Sequence, residues 1–301
     1  MSAAAPRELS VVATGLSFLE SPRWHDDRLW VSDFHTRRVL AFDADGTMEE
    51  VASVAGQPGG LGFAPDGSLL VASMTDRRLL RADGAGALDE VADLSGLAAW
   101  NLNDMLVDRH GRAYVGQFGF DVPADPQIAA SDLALVEPDG SVRIVAEDLV
   151  FPNGMALADD GHTLIVAETF AARMSAFDVA DDGSLSNRRT WASFTDSVGA
   201  TIFEALECGA PLPDGIVLDA EGALWIGDLT GRGALRVVEG GEIAETISVG
   251  SEAVYAVALG GADRRTLYLC VGPRPLDSGP PTDRKGRLLS CRVETPGAGL
   301  P

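Results

Sequence analysis

The sequence has few residues of the kinds that covalent amine catalysis and cysteine chemistry require. Lys285 is the only lysine among the 301 residues and lies in a loop rich in glycine, proline and arginine. Schiff-base chemistry would therefore depend on a single residue. Cys208, Cys270 and Cys291 are odd in number and widely spaced, and they form no CxxC pair. We expect buried free thiols rather than a zinc or redox site.

Familiar catalytic and transport signals are also absent. The sequence contains no GxSxG, GxxxxGKS/T, GxGxxG or HExxH motif, so serine-hydrolase, P-loop, dinucleotide-binding and zincin chemistry is not indicated. No window approaches the roughly 18 uncharged apolar residues of a membrane span. The N-terminal segment lacks the basic and apolar regions of a signal peptide. We therefore expect a cytoplasmic protein that does not bind membranes.

Basic residues are scarce relative to acidic ones. The chain has 45 Asp and Glu against 23 Lys and Arg, which gives a formal net charge of −22. Such a surface repels phosphate backbones and anionic lipids, so the charge argues against nucleic acids and membranes as partners. A small-molecule substrate is the favoured partner. The oligomeric state is not indicated by the sequence.

Apolar residues and turn formers, in contrast, are plentiful. Hydrophobic residues make up 46% of the chain and charged residues 23%, which is enough apolar material for a sizeable core and argues against disorder. The 34 glycines and 16 prolines indicate a chain that turns often.

One unit of short apolar runs separated by turns recurs about six times. Its second run is the clearest and occurs at 28–33, 68–73, 112–117, 163–168, 223–228 and 266–271. In each copy a third apolar run follows the second, and a more polar fourth run usually follows the third. No stretch of the sequence shows strong helical periodicity. Four short strands repeated six times predict an all-β fold, a six-bladed β-propeller. An open array of β-sandwiches is the less favoured alternative.

The two ends of the chain are predicted to share one blade. The sixth copy lacks a fourth run, whereas an unassigned strand lies at 8–15. We expect this segment to form the outer strand of the last blade and so to close the ring. The prediction is one domain over 1–301, with strands from about residue 8 to 295. Longer spacings indicate insertions at 120–131 and 196–213, and insertions of this length are often functional.

Polar side chains occupy the start of the first strand in four copies of the unit. They are Glu20, Asn103 with Asp104, Asn153 and Asp214. The first strands of a propeller converge on one mouth of its central channel. The PNG and PDG tripeptides around the last two residues could be simple turns. Both, however, open a new copy, whereas the other PDG tripeptides lie between strands of one copy, so we expect Asn153 and Asp214 to face the channel.

Glu20, Asn153 and Asp214 would provide oxygen ligands without sulfur or imidazole. This set suits a hard cation such as Ca²⁺, Mg²⁺ or Mn²⁺ and leaves positions for water and substrate. A cation bound in this way can polarise a carbonyl and acidify water, which is the chemistry of metal-assisted hydrolysis of an ester or lactone. Without it, two close carboxylates would repel each other, and we expect the metal-free site to be destabilised.

These motifs resemble those of the senescence-marker-protein/gluconolactonase/luciferin-regenerating-enzyme family over about residues 8 to 295. Glu20 in LESPRW, Asn153 in PNGMAL and Asp214 in PDGIVLDAEGALWIG match the metal ligands of the family. Asn103 in NDMLVDRHGRAYVG matches an asparagine near both metal and substrate, and Asp104 follows it as in many members.

The resemblance implies a divalent-metal-dependent lactonase of the gluconolactonase type. It gives Asp214, Asn103 and Asp104 as candidate catalytic residues. Asp214 would act as ligand and general base, and Asp104 or an activated water is the rival base. Calcium is the first choice of metal, and Mg, Mn or Zn is possible.

The substrate side of the site departs from the sugar-lactonase pattern. Asn101, next to Trp100, stands where sugar-lactonase members carry an arginine, so a less polar or differently shaped substrate is indicated. The lid lysine of some members has no counterpart. We expect Trp100, Asn101, Asn103 and Asp121 to bind substrate. Asp121 belongs to the segment QFGFD, whose phenylalanines lie beside the predicted mouth.

Three acidic residues have a different predicted role. Asp33, Glu168 and Asp228 end second runs at equivalent positions, where we expect them to cap turns between strands or to support the site.

Two other functions stay open at this point. The chain could be a non-catalytic calcium-binding scaffold, since propellers often present surfaces rather than chemistry. It could also catalyse a different hydrolytic or cyclising reaction in a biosynthetic pathway, which the departure at Asn101 and the QFGFD segment would allow.

Overall fold

Short antiparallel strands make up most of the computed structural model, which describes residues 7–84, 86–122, 125–158 and 161–298. The first half contains β1 (Ser10–Leu16), β2 (Leu19–His25), β3 (Arg28–Asp33), β4 (Arg38–Phe42), β5 (Met48–Ser53), β6 (Pro58–Phe63), β7 (Leu69–Ser73), β8 (Arg78–Ala82), β9 (Leu88–Asp93), β10 (Leu102–Val107), β11 (Ala113–Gln117), β12 (Ser131–Val136) and β13 (Val142–Leu149). The second half contains β14 (Pro152–Leu157), β15 (Thr163–Glu168), β16 (Arg173–Val179), β17 (Leu185–Ser193), α1 (Ile202–Glu207), β18 (Pro213–Leu218), β19 (Leu224–Asp228), β20 (Gly233–Val237), β21 (Ile243–Ile247), β22 (Ala253–Gly260), β23 (Thr266–Gly272) and β24 (Gly286–Arg292). Single 3₁₀ turns lie at Phe34–Thr36, Thr169–Ala171, Pro275–Asp277 and Pro281–Asp283.

The strands form six four-stranded sheets arranged as blades. Five blades run consecutively through the chain, as β2–β5, β6–β9, β10–β13, β14–β17 and β18–β21. The first strand of each blade contacts the first strand of the next, and β22 contacts both β18 and β2, so the inner strands form a closed ring. The predicted six-bladed β-propeller is confirmed.

The sixth blade joins the two ends of the chain. Its strand order is β1-β24-β23-β22, with Ser10 opposite Ser290 and Val11 opposite Leu289. The expected closure of the last blade by the N-terminal strand is therefore confirmed, with the strand at 10–16 instead of 8–15. The predicted domain, 1–301, also includes 1–6 and 299–301, which lie outside the described residues, and this extent stays a prediction.

Burial falls from the channel to the outside of each blade. The inner strands β6, β14 and β22 are buried at every position, whereas the outer strand β5 is mostly exposed. Inner strands buried on both sides need nearly continuous apolar or small residues, and outer strands tolerate charge. The apolar cores accordingly lie between neighbouring blades.

The PNG and PDG tripeptides at Asn153 and Asp214 are parts of inner strands and not turns. Their glycines are required because neighbouring blades approach closely. A Cβ atom on Gly154 would lie 2.5 Å from the backbone nitrogen of Ile216, and one on Gly215 would collide with the side chain of Ala256.

One helix lies in the second insertion, for which no helix was predicted. The side chain of Thr201 accepts a hydrogen bond from the backbone of Glu204, and the Glu204 carboxylate accepts one from the backbone of Thr201, which is a capping box at the start of α1. The T-x-x-E pattern of this box was a readable signal. No helix in the described ranges is long and apolar enough to cross a membrane.

The closing strand generates a stability prediction. Leu16 is 3% exposed within the core of the last blade, whereas Val11 on the same strand is 60% exposed. Leu16→Ala should lower the free energy of unfolding by about 2–5 kcal/mol, because it removes buried methyl groups and leaves a cavity, whereas Val11→Ala should change it by less than about 0.5 kcal/mol. Urea unfolding of both variants measures the difference. Equal effects would show that β1 is not part of the cooperative core.

Candidate active site

A cavity of about 340 Å³ opens at the mouth of the central channel. Five of its polar residues, Glu20, Asn103, Asp104, Asn153 and Asp214, come from the inner strands of four blades. The structure therefore brings together all the residues predicted as metal ligands or catalytic groups. We call this group the polar floor of the cavity.

A β-bulge in each inner strand turns these side chains toward the channel. The pairing register shifts at equivalent places, between Glu20 and Arg23, Pro58 and Leu61, Leu102 and Met105, Pro152 and Met155, Pro213 and Ile216, and Val254 and Ala256. A bulge bends its strand and changes the direction of its side chains, and bulges are common next to active sites. The ring of bulges thus builds the polar floor from otherwise regular strands.

A repeated hydrogen bond fixes the loops that lead into the four inner strands of the polar floor, β2, β10, β14 and β18. In each of these blades, the side chain of the last residue of the second strand accepts a hydrogen bond. The donor is a backbone N–H in the loop just before the first strand of the same blade. The donors and acceptors are Ser17 N to Asp33 Oδ1 at 2.9 Å, Ala99 N to Gln117 Oε1 at 2.8 Å, Val150 N to Glu168 Oε2 at 2.9 Å, and Leu212 N to Asp228 Oδ1 at 2.8 Å. The supporting role expected of Asp33, Glu168 and Asp228 is confirmed.

Glu20 and Asp214 are acidic groups without a basic partner. No Lys or Arg of the described chain forms an ion pair with either carboxylate. Burial, and then the charge of Asp104, raises the pKa of Glu20 from 4.5 to about 8. Burial, and then the charges of Glu20 and Asp104, raises the pKa of Asp214 well above its usual value. The polar floor thus disfavours two negative charges unless a cation compensates them.

Asn153 and Asn103 are tied to the same floor by their amide nitrogens. Nδ2 of Asn153 donates to Asp214 Oδ1 and, at 3.2 Å, to Thr169 Oγ1. Nδ2 of Asn103 donates to the carbonyl oxygen of Pro152 at 3.0 Å, next to Asn153. With the nitrogen of Asn153 engaged, its amide oxygen is the atom that it could offer to a cation.

Asp104, unlike the other two carboxylates of the floor, has a buried cationic partner. Its Oδ1 accepts hydrogen bonds from Arg23 Nη2 and Ser21 Oγ, both at 2.7 Å, and from the backbone of Met105 at 2.8 Å. Arg23 also donates to the carbonyl oxygen of Met105 at 2.7 Å. Arg23 was not predicted as a site residue, although it lies three residues after Glu20 in the LESPRW motif.

The donor types of the floor fit a hard cation. Glu20, Asn153 and Asp214 offer oxygen atoms only, and two of the three are carboxylates lacking compensation. Across the described ranges no three His, Cys, Asp or Glu side chains form a metal-binding group, and the third ligand of the predicted set is an amide, Asn153. The choice of these three residues as ligands stays a prediction.

The predicted substrate-binding residues are placed less uniformly. Trp100 and Asn101 precede β10 and do not line the cavity, and the backbone oxygen of Asn101 accepts a hydrogen bond from Phe118 at 2.9 Å. Asp121 also lies outside the cavity lining, whereas Phe118 of the same QFGFD segment is part of it. These positions leave the predicted substrate contacts of Trp100, Asn101 and Asp121 untested.

Aromatic residues of the cavity are the main group that the sequence analysis missed. Phe18 and Phe151 each stand two positions before a residue of the polar floor, Glu20 and Asn153, and both line the cavity. Comparison of the repeats at this position could have revealed them. Tyr255 also contributes, from the bulge of β22.

Comparison with known proteins finds similarity over most of the chain. Residues 18–272 match the model of a family described as SMP-30/Gluconolactonase/LRE-like region. A regucalcin of Danio rerio is 28% identical over 169 residues, which are 56% of this chain and 52% of that protein, so the match spans about half of that relative. A pentonolactonase of Haloferax volcanii is 26% identical over 262 residues, which cover 86% of this chain and 83% of the relative.

Similarity to solved structures extends over the whole chain. The crystal structure of a regucalcin from Agrobacterium tumefaciens, described as a calcium-binding protein, aligns with a TM-score of 0.80 and 21% identity. The alignment covers 100% of this chain and 99% of that one. At this identity the likeness supports the fold alone.

The buried ion pair below the cavity generates a second prediction. The side chains of Arg23 and Asp104 are 7% and 5% exposed, whereas Arg81 and Asp66 form an exposed pair. Arg23→Met should lower the free energy of unfolding by about 3–5 kcal/mol, because Asp104 is left as an uncompensated buried charge. Arg81→Met is the control and should cost at most about 1 kcal/mol. Urea unfolding at pH 7 distinguishes the two, and similar small losses would contradict the assigned role of Arg23.

Proposed function

We propose that this chain, which belongs to the SMP-30/gluconolactonase/LRE-like family, hydrolyses a lactone with the help of a divalent cation bound by Glu20, Asn153 and Asp214. The observation that carries the proposal is the uncompensated pair of carboxylates, Glu20 and Asp214, on the floor of a cavity large enough for a small molecule. The pentonolactonase of Haloferax volcanii, similar over most of both chains, supports a lactone as the substrate class.

Calcium is the favoured cation, with magnesium, manganese or zinc as alternatives. The all-oxygen donor set suits a hard cation, and the Agrobacterium protein of the same fold is described as calcium-binding. When bound, such a cation supplies Lewis-acid polarisation of the lactone carbonyl and acidifies water.

The residues of the floor divide the remaining work. Asp214 is the better candidate for the general base, because it lines the cavity and its Oδ1 accepts a hydrogen bond from Asn153 alone among the described side chains. It would take a proton from the attacking water. Asp104 is less suited, since three donors already occupy its Oδ1 atom. Asn103 lines the same cavity, and its proposed role is to orient the substrate.

The chain offers a matched pair of variants for the metal site. Asp214 and Asp139 both lie in PDG tripeptides, but Asp139 is in an exposed turn, where it accepts a hydrogen bond from the backbone of Ser141 at 2.9 Å. Asp214→Asn should weaken Ca²⁺ binding by more than about 100-fold and abolish hydrolysis, because it removes a charged ligand and the base. Asp139→Asn should change neither. Calorimetry and proton release measure the two properties.

The outcomes of this experiment separate the alternatives. Unchanged affinity and turnover in Asp214→Asn would overturn the site. Calcium binding by the unaltered protein without hydrolysis of any lactone would favour the binding-scaffold function or a different reaction.

Removal of metal should make stability depend on pH. The folded pKa of Glu20, about 8, lies above its usual 4.5, so its contribution to stability is complete below about pH 4.5 and is lost as pH rises through 8. We expect the melting temperature of chelator-treated protein to fall by several degrees between about pH 5 and 9. Saturating Ca²⁺ should remove this fall, so that the stabilisation by Ca²⁺ grows with pH. Calorimetric scans with and without Ca²⁺ check this, and a pH-independent effect of Ca²⁺ would contradict it.

A further inference from the structure

The walls of the cavity differ chemically from its floor. On one side Phe118, Phe151 and Phe170 form an aromatic group. The ring centroids of Phe118 and Phe151 lie 4.6 Å apart, and those of Phe151 and Phe170 lie 4.8 Å apart. Phe118 follows β11 in the third blade, whereas Phe151 and Phe170 flank β14 and β15 in the fourth.

A second aromatic group faces the first across the channel. Phe18 lies 5.6 Å from Phe34 and 4.3 Å from Tyr255, measured between ring centroids. These residues belong to the first and sixth blades, which are opposite the fourth and third in a ring of six. A molecule above the polar floor would therefore lie between two aromatic walls.

The walls offer few groups that could bind hydroxyls, and the imidazole of His35, which packs edge-on against Phe18 and Phe34, is one of them. Tyr255 donates its hydroxyl to the backbone of Pro273, and Ser278 donates its own to the backbone of Arg274 at 3.1 Å. No Arg or Lys of the described chain lines this cavity, and Asn101 does not line it either. A polyhydroxylated substrate would bury hydroxyls beside phenylalanine rings, and each hydroxyl without a partner weakens binding.

We propose that the substrate is a lactone that carries an alkyl or aryl group, not a sugar lactone. This inference rests on the proposed function and specifies its substrate class. The lactone carbonyl lies over Glu20, Asn153 and Asp214, and the apolar group lies between the two aromatic walls. Water adds across the acyl–oxygen bond, which gives an apolar hydroxy acid. At roughly 30 Å³ for each water-sized group, the cavity of about 340 Å³ has room for a substrate of about ten heavy atoms.

A series of neutral lactones tests the substrate class. Calcium-loaded protein is assayed with δ-valerolactone, δ-hexanolactone, δ-octanolactone, δ-decanolactone and glucono-δ-lactone by proton release. We expect kcat/KM to rise about fourfold for each methylene added, until the cavity is filled, because each buried methylene contributes binding free energy. Glucono-δ-lactone should be at least about 100-fold poorer than the best alkyl lactone.

The two proposals fail in different ways. Metal-dependent hydrolysis of glucono-δ-lactone at a rate equal to or above that of the alkyl lactones would overturn the apolar substrate and leave the lactonase function intact. No hydrolysis of any lactone by the calcium-loaded protein would overturn both.

Wall variants test the aromatic contacts separately from the metal. Phe118→Asn should raise KM for δ-octanolactone about tenfold and change that for δ-valerolactone less than about twofold, because only the longer substrate reaches the wall. Phe203→Asn is the control, since Phe203 is 53% exposed and does not line the cavity. Phe34→Asn, on the opposite wall, repeats the test if the first variant does not fold.

A binding measurement gives a readout that does not depend on turnover. The lactam analogue of δ-octanolactone, in which NH replaces the ring oxygen, is titrated calorimetrically into the unaltered protein and the variants, all without metal. Weaker binding to Phe118→Asn than to Phe203→Asn supports the inference. Equal affinities of the two variants for this lactam would overturn it. So would a loss of affinity in Phe118→Asn that is just as large for the lactam of δ-valerolactone.

Discussion

Neighbouring inner strands approach so closely around the channel that a Cβ atom on Gly154 would lie 2.5 Å from the backbone of the next blade. This crowding follows from closing six blades into a ring, and the site depends on it. It brings side chains from four blades, far apart in sequence, onto one floor. Because Glu20 and Asp214 are among them, ring closure also imposes the electrostatic cost that a cation would relieve.

The buried acidic residues fall into two groups with different surroundings. Asp33 and Glu168 receive several donors, and although burial opposes their ionisation, hydrogen bonds from Ser17 and Arg173, respectively, lead the contributions that lower their pKa values. Asp104 is paired with Arg23. Glu20 and Asp214 form no ion pair with a described Lys or Arg, so negative charge is left uncompensated at the channel mouth. Asp33, Glu168 and Asp228 fix loops, whereas Glu20 and Asp214 belong to the proposed cation site.

The repeated strand pattern was sufficient to predict the propeller, because each blade repeats the same alternation of apolar runs and turns. The polar floor could be predicted because PNG and PDG interrupt that pattern at the start of a repeat. Arg23 and the walls could not be found in this way. The pairing of Arg23 with Asp104 joins the first and third blades, and such a contact exists only after the ring closes. Phe18 and Phe151 look like ordinary core residues within a single repeat, and only their equivalent positions, two residues before Glu20 and Asn153, point to the cavity.

The charge of the whole chain complements the proposed reaction. A neutral lactone approaches a protein of net charge −22 without electrostatic hindrance, whereas an anionic substrate would be repelled. Hydrolysis converts the neutral ester into a hydroxy acid that is ionised at pH 7. The product therefore meets two unfavourable conditions that the substrate did not, the apolar walls beside its new carboxylate and the negative field outside the cation site. Both favour its departure, so the acidic surface would limit product inhibition.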